Sequence, residues 1–216
     1  IDYYKSMAKK LNITMKLGKE VTAQEVLALK PYSILVATGS NVISIPLEGL
    51  DQVQTVQAHD VLANDMQFAN KKVVVIGGGI TGLETALYIN RQSTNQVSVV
   101  DMLPEWPVDM LDMRYQNEAL LEVRHCNDQG VALFYNNKVV KFADGKLFIE
   151  STKDGEVKEL PADVIVLSVG VKPNDALWQE LLASGHPSVW KAGDAIATGK
   201  INKAVLHGSK FGYSLS

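Results

Sequence analysis

Residues 71–101, KKVVVIGGGITGLETALYINRQSTNQVSVVD, read as a strand, a glycine-rich turn, a helix and a second strand closed by an acid. Val73-Val74-Val75-Ile76 is an unbroken apolar run, the composition of a parallel strand buried on both faces. Gly77, Gly79 and Gly82 follow in the spacing G-x-G-x-x-G. Ile80, Leu83, Ala86 and Leu87 then fall on one helical stripe. Asp101 closes the strand Val97–Val100, about twenty residues past the last of these glycines. A lone glycine triplet is a weak sign. The strand before it, the helix after it and the acid at this distance together indicate a dinucleotide-binding βαβ unit rather than a structural turn.

Each part has a physical task. Gly77 permits the tight exit from the strand, Gly79 lets a pyrophosphate approach the backbone, and Gly82 lets the helix pack close to the sheet. The helix start, from Ile80 and Thr81 onward, offers free N–H groups and a positive dipole end to phosphates. Asp101 can accept the ribose hydroxyls of an adenosine. It would repel a 2′-phosphate, and no base stands among Met102-Leu103-Pro104-Glu105, so NAD(H) is expected over NADP(H). The plainer reading of Asp101 is that it ends a strand. Met102 can cover an adenine face or pack its own loop.

The chain has 216 residues, enough for one large or two small domains. A formal net charge of −3 gives no reason to expect nucleic acid or an anionic membrane as partner. The apolar runs are far shorter than a membrane span. The single cysteine, Cys126, excludes an internal disulfide, a C-x-x-C pair and a cysteine-ligated cluster within the chain, and fits a reducing, cytoplasmic setting. No signal peptide is visible; the chain begins at Ile1 within a helical pattern, as a fragment would.

Before the central unit, Asp2 to Leu11 reads as an amphipathic helix and Ile13 to Lys16 as a small strand. Thr22 and Glu25 have the capping-box spacing for a helix through Leu29. Ser33 to Ala37 is expected as a buried strand running into Thr38-Gly39-Ser40, and Asn41 to Asp51 as an extended connection. A short strand and a helix from near His59 occupy Thr55 to Asn64.

Beyond Asp101, Pro104 and Pro107 enforce a loop, and Met113 to Asn127 is helical with Leu120, Leu121 and Val123 apolar. Four short strands follow: Val131–Tyr135, Lys138–Phe142, Lys146–Glu150 and Glu156–Leu160. Asn136-Asn137, Asp144-Gly145 and Asp154-Gly155 separate them, so an antiparallel meander is expected. Asp163 to Val169 is a buried strand ending at Gly170. Asn174 to Ser184 is a helix with Leu177, Leu181 and Leu182 on one face. Ser188 to Lys191 is a strand leading into Ala192-Gly193-Asp194, and Asn202 to Leu215 is helical. Ile34–Gly39 and Val166–Gly170 echo each other as apolar strands ending at a glycine, which suggests two related nucleotide domains.

The order V-V-V-I-G-G-G-I-T-G-L-E, V-V-D, a meander, I-V-L-S-V-G-V-K-P-N and W-K-A-G-D-A resembles the flavoprotein reductases with two dinucleotide-binding domains. Within that group, A-T-G-S and G-D-A-I-A-T-G-K-I-N-K-A make it most similar to the C-terminal part of the NADH:flavin oxidoreductases that include 2,4-dienoyl-CoA reductase and 2-enoate reductase. The resemblance implies an α/β fold. A Rossmann-like NAD(H)-binding domain with a central parallel sheet and a meander would occupy residues 43–170. An incomplete FAD-type subdomain would be built from 1–42 and 171–216.

It further implies that Gly77, Gly79, Ile80, Thr81, Gly82, Asp101 and Met102 hold NAD(H), with Gly170 flanking the cleft. Glu84 would lie near the nicotinamide, although an ordinary exposed first-turn acid fits it equally well. Gly193 and Asp194 match the second flavin motif, where the acid accepts a hydrogen bond from the FAD ribityl chain; Thr38 and Gly39 match the strand end near the flavin nucleotide. The first flavin glycine motif, the amino-terminal barrel that binds FMN and reduces an enoyl substrate, and its cluster cysteines are absent from this sequence. The chain alone is therefore expected to bind NAD(H), and FAD weakly or not at all. Hydride passing from NADH to FAD needs no catalytic base.

Two rival readings are a non-catalytic NAD(H)-binding or sensing module and a disulfide or peroxide reductase. Gly193-Asp194 argues against the first, and the lack of a redox cysteine pair weakens the second. Cys126 beside His125 is read as an inert thiol, because adjacent helical residues do not face each other. His59, His186 and His207 show no metal-ligand spacing and are expected on the surface. Trp106, Trp178 and Trp190 are expected as core or domain-contact residues, and Lys71-Lys72 as a solvated strand start.

Overall fold

A computed structural model describes residues 2–104 and 116–215. The chain divides into two compact units, one of residues 42–171 and one of residues 1–41 with 172–216. Strands β2 (Ser40–Val42) and β11 (Val171–Pro173) carry the chain across the two boundaries.

The unit of residues 42–171 is built on a five-stranded parallel sheet of order β3-β10-β4-β5-β6. Its strands are β3 (Gln54–Gln57), β4 (Lys72–Ile76), β5 (Gln96–Val100), β6 (Ala132–Phe134) and β10 (Val164–Leu167). β4 is the middle strand, which is why Val73 to Ile76 are all buried. Val73 and Val75 face a layer of helices: α3 (Ala58–Ala63), α4 (Ile80–Asn90) and α5 (Gln116–Asp128). Val74 and Ile76 face Phe142, Leu147 and Ile149 of a three-stranded antiparallel sheet of β7 (Asn137–Ala143), β8 (Lys146–Ser151) and β9 (Val157–Pro161). Burial of each such side chain contributes roughly 1.5–3 kcal/mol, so the two apolar layers fix β4 from both sides. Asp163 sets the register of the start. Its Oδ2 accepts the Lys72 N–H at 2.8 Å and its own N–H donates to the Lys72 carbonyl at 2.8 Å.

In the unit of residues 1–41 and 172–216, β1 (Ile34–Val36) pairs in parallel with β12 (Val189–Lys191). Ile34 and Val36 pack with Leu181 of α6 (Ala176–Ala183) and with Val26 and Leu27 of α2 (Ala23–Ala28). The α2 start is a full capping box between Thr22 and Glu25. A Lys19 ion pair at 2.5 Å, then the Thr22 N–H, holds the Glu25 carboxyl down at about 2. Helices α1 (Asp2–Lys10) and α7 (Ile201–Ser214) complete this unit. No helix among the described residues is long and apolar enough to cross a membrane.

Several expectations are corrected. Ile13 to Lys16 forms no strand; its side chains are all exposed and it has no strand partner. The segment Val131–Tyr135 does not belong to the meander: β6 extends the parallel sheet beside β5, and only three strands form the antiparallel layer. Asn136, with φ of +58°, breaks the chain between them, whereas Asp144-Gly145 makes a true hairpin turn between β7 and β8. On α5 the buried residues are Ala119 and Cys126, while Leu120 and Leu121 are exposed. Ala119, Val123 and Cys126 share a face at helical spacing, and Val123 and Cys126 pack in the cluster that holds Leu83, Ala86 and Leu87 of α4.

On α6, Leu181 is buried but Leu182 is exposed. Ala37 is also exposed, so β1 is shorter than expected. Trp190 is exposed at 47% and stacks edge-on to Phe211. Trp178 packs with Leu181, its ring under the Lys191 ammonium at 4.0 Å. His59 is exposed, but His186 and His207 are half-buried and hydrogen-bonded. Trp106, Pro107 and Met113 to Tyr115 lie outside the described residues.

Candidate functional site

The turn from β4 into α4 is held by four backbone-directed bonds. Gly77 N–H donates to the Val100 carbonyl at 2.8 Å, and Ser168 N–H donates to the Ile76 carbonyl at 2.8 Å. Gly78 N–H donates to Asp101 Oδ2 at 2.6 Å, and Leu83 N–H donates to the Gly79 carbonyl at 3.0 Å, opening the helix. Gly77 has φ of +110°, and a Cβ there would land on the Ser168 carbonyl; a Cβ on Gly82 would land on the Gly77 carbonyl. No side chain caps the α4 N-terminus at Gly79. The first N–H groups of the helix therefore point outward as donors for an anion.

A cleft of about 420 Å³ opens beside this turn. Gly77 and Gly79 form one edge, and Asp101, Met102 and Leu103, past the end of β5, form another. Asn137, Lys138 and Val139 from β7 and Ser168, Val169 and Gly170 past β10 close the sides, over a floor of Ile45, Ile76 and Val100. The volume lies in the range usual for small-molecule sites. Asp101 is half-buried and organises its surroundings: Oδ2 holds Gly78, Oδ1 accepts the Leu103 N–H at 2.8 Å, and the Asp101 carbonyl accepts the Asn137 N–H at 2.9 Å. Each carboxylate oxygen keeps a further lone pair for a ligand hydroxyl.

Of the residues singled out in the sequence, Gly77, Gly79, Asp101, Met102 and Gly170 line this cleft together. Ile80, Thr81 and Gly82 form the first turn of α4 beside it, with Ile80 and Gly82 buried and Thr81 exposed. Glu84 is not a first-turn acid. It sits in the second turn of α4 and lines a different depression, with Tyr88, Arg91 and Glu122. Tyr88 there donates its hydroxyl to Asp65, and Arg91 Nε donates to Gln129 at 3.0 Å.

Thr38, Gly39, Gly193 and Asp194 lie in the other unit. Thr38 Oγ1 donates to the Asn174 carbonyl at 2.5 Å, and Asn174 N–H donates to the Gly39 carbonyl at 3.0 Å. Asp194 accepts the Gly199 N–H on Oδ1 at 3.1 Å and the Ser40 hydroxyl on Oδ2 at 3.4 Å. Gly193, with φ of +62°, donates its N–H to His207 Nδ1 at 3.2 Å.

Sequence reasoning missed several residues of these sites. Gly78 was legible in the G-G-G run but counted as a variable position. A Cβ on Gly78 would stand 3.2 Å from both Cβ and Oδ2 of Asp101. Ser168, Asn137 and Lys138 reach the cleft only through strand order, which leaves no local signal. Lys138 supplies a base beside the cleft that residues 102–105 lack, and its ammonium is paired with Glu150 at 2.8 Å. Among the described residues no cluster of His, Cys, Asp and Glu could hold a metal ion.

Comparison with known proteins agrees with this architecture. Residues 2–208 match the family model described as pyridine nucleotide-disulphide oxidoreductase. An NADH oxidase of Thermoanaerobacter brockii is 28% identical over 222 residues, covering 99% of this chain and 32% of its own length. A cinnamate reductase of Clostridium sporogenes is 27% identical over 188 residues, covering 84% of this chain and 26% of its own. The structure of a 2-naphthoyl-CoA reductase in complex with 2-naphthoyl-CoA superposes with a TM-score of 0.81 at 26% identity, over 97% of this chain and 31% of that one. The chain thus spans about a third or less of the length of these relatives. A pyridine nucleotide stands in the description of the matching family, and NADH in the name of the oxidase. The cleft has features that fit such a nucleotide: an uncapped helix start, a Cβ-free turn and an acid bonded into that turn. On the match over residues 2–208, the chain belongs to the pyridine nucleotide-disulphide oxidoreductases.

Proposed function

We propose that residues 42–171 bind NADH in the cleft between the glycine turn and Asp101, as the pyridine-nucleotide part of a flavin-dependent oxidoreductase. The observation that carries this reading is the bond from Gly78 N–H to Asp101 Oδ2 at 2.6 Å, which joins the phosphate-facing turn to the ribose-facing acid. Bound NADH would supply a hydride, for which a bound flavin would be the acceptor. This chain binds and orients. The α4 N-terminus holds the pyrophosphate, Asp101 takes the adenosine ribose, and Val169 and Gly170 border the nicotinamide end. Residues 1–41 and 172–216 contribute Thr38, Gly39, Gly193 and Asp194 to an FAD site whose principal phosphate grip lies outside this sequence, so this chain alone holds FAD weakly or not at all.

The acceptor proposed is an enoate or enoyl thioester, reduced in a barrel domain of the parent protein outside this sequence, in the manner of the 2,4-dienoyl-CoA and 2-enoate reductases. The names of the cinnamate and 2-naphthoyl-CoA reductases support that acceptor class. The single, buried Cys126 agrees with a cytoplasmic setting.

Separate calorimetric titrations with NADH and NADPH test the reading. NADH is expected to bind with a Kd on the order of 1 μM to 1 mM, the usual range for enzyme ligands, and NADPH more weakly. NADPH binding as well as NADH would overturn the role given to Asp101.

A further inference from the structure

Met102 follows Asp101 past the end of β5 and lines the cleft. It is 62% exposed, and it belongs to none of the apolar clusters of the described residues. The backbone on either side of it is nonetheless held. Asp101 N–H donates to the Phe134 carbonyl at 2.9 Å, Leu103 N–H donates to Asp101 Oδ1 at 2.8 Å, and the Leu103 carbonyl accepts the Asn136 N–H at 2.8 Å. The fold thus fixes where Met102 stands without packing its thioether. An unbranched, polarizable side chain with three rotatable bonds can adapt to a surface that meets it.

The other described methionines stand apart from the cleft. Met66 is half-buried against the helix layer, Met7 is half-buried on α1, and Met15, 50% exposed, lies in the other unit. A peroxide must reach the sulfur to react, so the most exposed thioether is the most open to it. Hydrogen peroxide transfers one oxygen atom: the S–O bond forms as the O–O bond breaks, the sulfur loses two electrons, and the peroxide leaves as water. The product, methionine sulfoxide, is polar and chiral, and methionine sulfoxide reductases reverse it.

We propose that Met102 is an oxidation site linked to occupancy of the cleft: a bound dinucleotide shields its thioether from hydrogen peroxide, and the sulfoxide weakens the binding of NADH. This inference rests on the NADH reading above. A ligand whose ribose hydroxyls reach Asp101 comes to the adjoining residue, covers apolar surface exposed there and closes the path to the sulfur. Once the sulfur carries an oxygen, the same ligand must strip water from a strong acceptor to occupy the same place.

The test follows sulfoxide at each methionine by peptide mass spectrometry while this chain is treated with hydrogen peroxide, with and without NAD+ at about ten times its calorimetric Kd. Met102 is expected to oxidise faster than Met66. NAD+ is expected to slow Met102 at least about threefold, since only about a tenth of the sites are then empty, and to leave Met15 unaffected. After removal of peroxide, the chain oxidised at Met102 is expected to bind NADH about three- to tenfold more weakly, the scale of one imperfectly paired polar group. Methionine sulfoxide reductases A and B should restore the affinity. In Met102→Leu, peroxide is expected to leave the variant's own affinity where it was, although its remaining methionines oxidise. Undiminished NADH affinity with Met102 oxidised would overturn the inference, and so would equal Met102 oxidation with and without NAD+. Both readouts use the wild-type chain and stand whether or not the variant folds. An equal loss of affinity in a folded Met102→Leu would place the effect at another methionine and also overturn it. Binding of neither NADH nor NAD+ by the untreated chain would overturn the NADH site itself, an outcome distinct from these.

Discussion

Asp101 Oδ2 accepts the Gly78 N–H at 2.6 Å, so the acid at the end of β5 is bonded into the glycine turn at the end of β4. The second oxygen holds Leu103 at 2.8 Å. Asp101 is thus a structural pin as well as the residue proposed to receive a ribose. Asp101→Asn keeps the shape but turns an NH2 toward one of these two N–H groups. The expected loss is about 1–3 kcal/mol of stability, the usual penalty for leaving a half-buried donor unmatched. Urea unfolding should show this as a lower midpoint at unchanged slope, together with at least a tenfold weaker NADH affinity. A variant as stable as wild type would refute the pin.

The glycines of this chain should respond to alanine in a definite order. At Gly77 and Gly82 the new Cβ meets backbone carbonyls, of Ser168 and of Gly77, which cannot move aside. Each change is expected to cost about 3 kcal/mol or more, in the diagnostic tail of point-mutant effects. At Gly78 the obstacles are side chains, the Tyr135 ring edge at 3.1 Å and Asp101 at 3.2 Å, and about 1 kcal/mol is expected. Gly208 and Gly212 lie on α7 with open space around them. Alanine there should stabilise by roughly 0.5–1 kcal/mol each, because glycine is a poor helix former. Thermal melts of the five single variants would show the order directly.

The contrast between these glycines also shows what is legible in a sequence. The β4–α4–β5 unit is written locally: four apolar residues, spaced glycines, a 3.6-residue stripe and an acid. The choice of partner for β6 is not. Ala132–Phe134 has the length and composition of a meander strand, yet it pairs in parallel with β5, because strand pairing is settled by the whole sheet. The burial of Cys126 instead of Leu120 was hidden for a similar reason. Leucine draws the eye to the wrong face, while Val123 and Cys126 mark where α5 sits against α4. Of the cleft, the turn and the acid were readable. Asn137, Lys138 and Ser168 were not, since only the strand order and the β6–β7 corner bring them there.

Lys138 bears on cofactor choice. It lies along the cleft wall with its ammonium held by Glu150 at 2.8 Å, directly opposite on β8. While paired, it offers a 2′-phosphate little. Glu150→Gln removes the competing carboxylate and should raise NADPH affinity about two- to fivefold, the scale of one partly exposed charge pair, with NADH affinity unchanged. Adding Lys138→Ala should cancel the gain. Paired NADH and NADPH titrations measure the ratio, and an equal rise for both cofactors would show that Lys138 acts on the shared pyrophosphate instead.

Cys126 is fully buried on α5, its thiol directed at the Leu83 carbonyl at 3.9 Å. Burial first, and the Glu122 carboxylate second, push its pKa up from 9.0 to about 11, with Arg91 opposing. The folded state therefore favours the neutral thiol. This contribution to stability is complete below pH 9 and is lost as the pH rises through about 11. At pH 8 the thiolate population of the folded chain is about 100-fold below that of the unfolded chain, since two pKa units separate them. Iodoacetamide should accordingly modify the native protein at least about 100-fold more slowly than the urea-unfolded protein. Between pH 9 and pH 11 the urea midpoint should fall more steeply for wild type than for Cys126→Ala, which has no thiol to ionise. Identical profiles in the two proteins would mean that Cys126 does not titrate with unfolding, and rapid native alkylation would mean that α5 opens far more often than its packing on α4 allows.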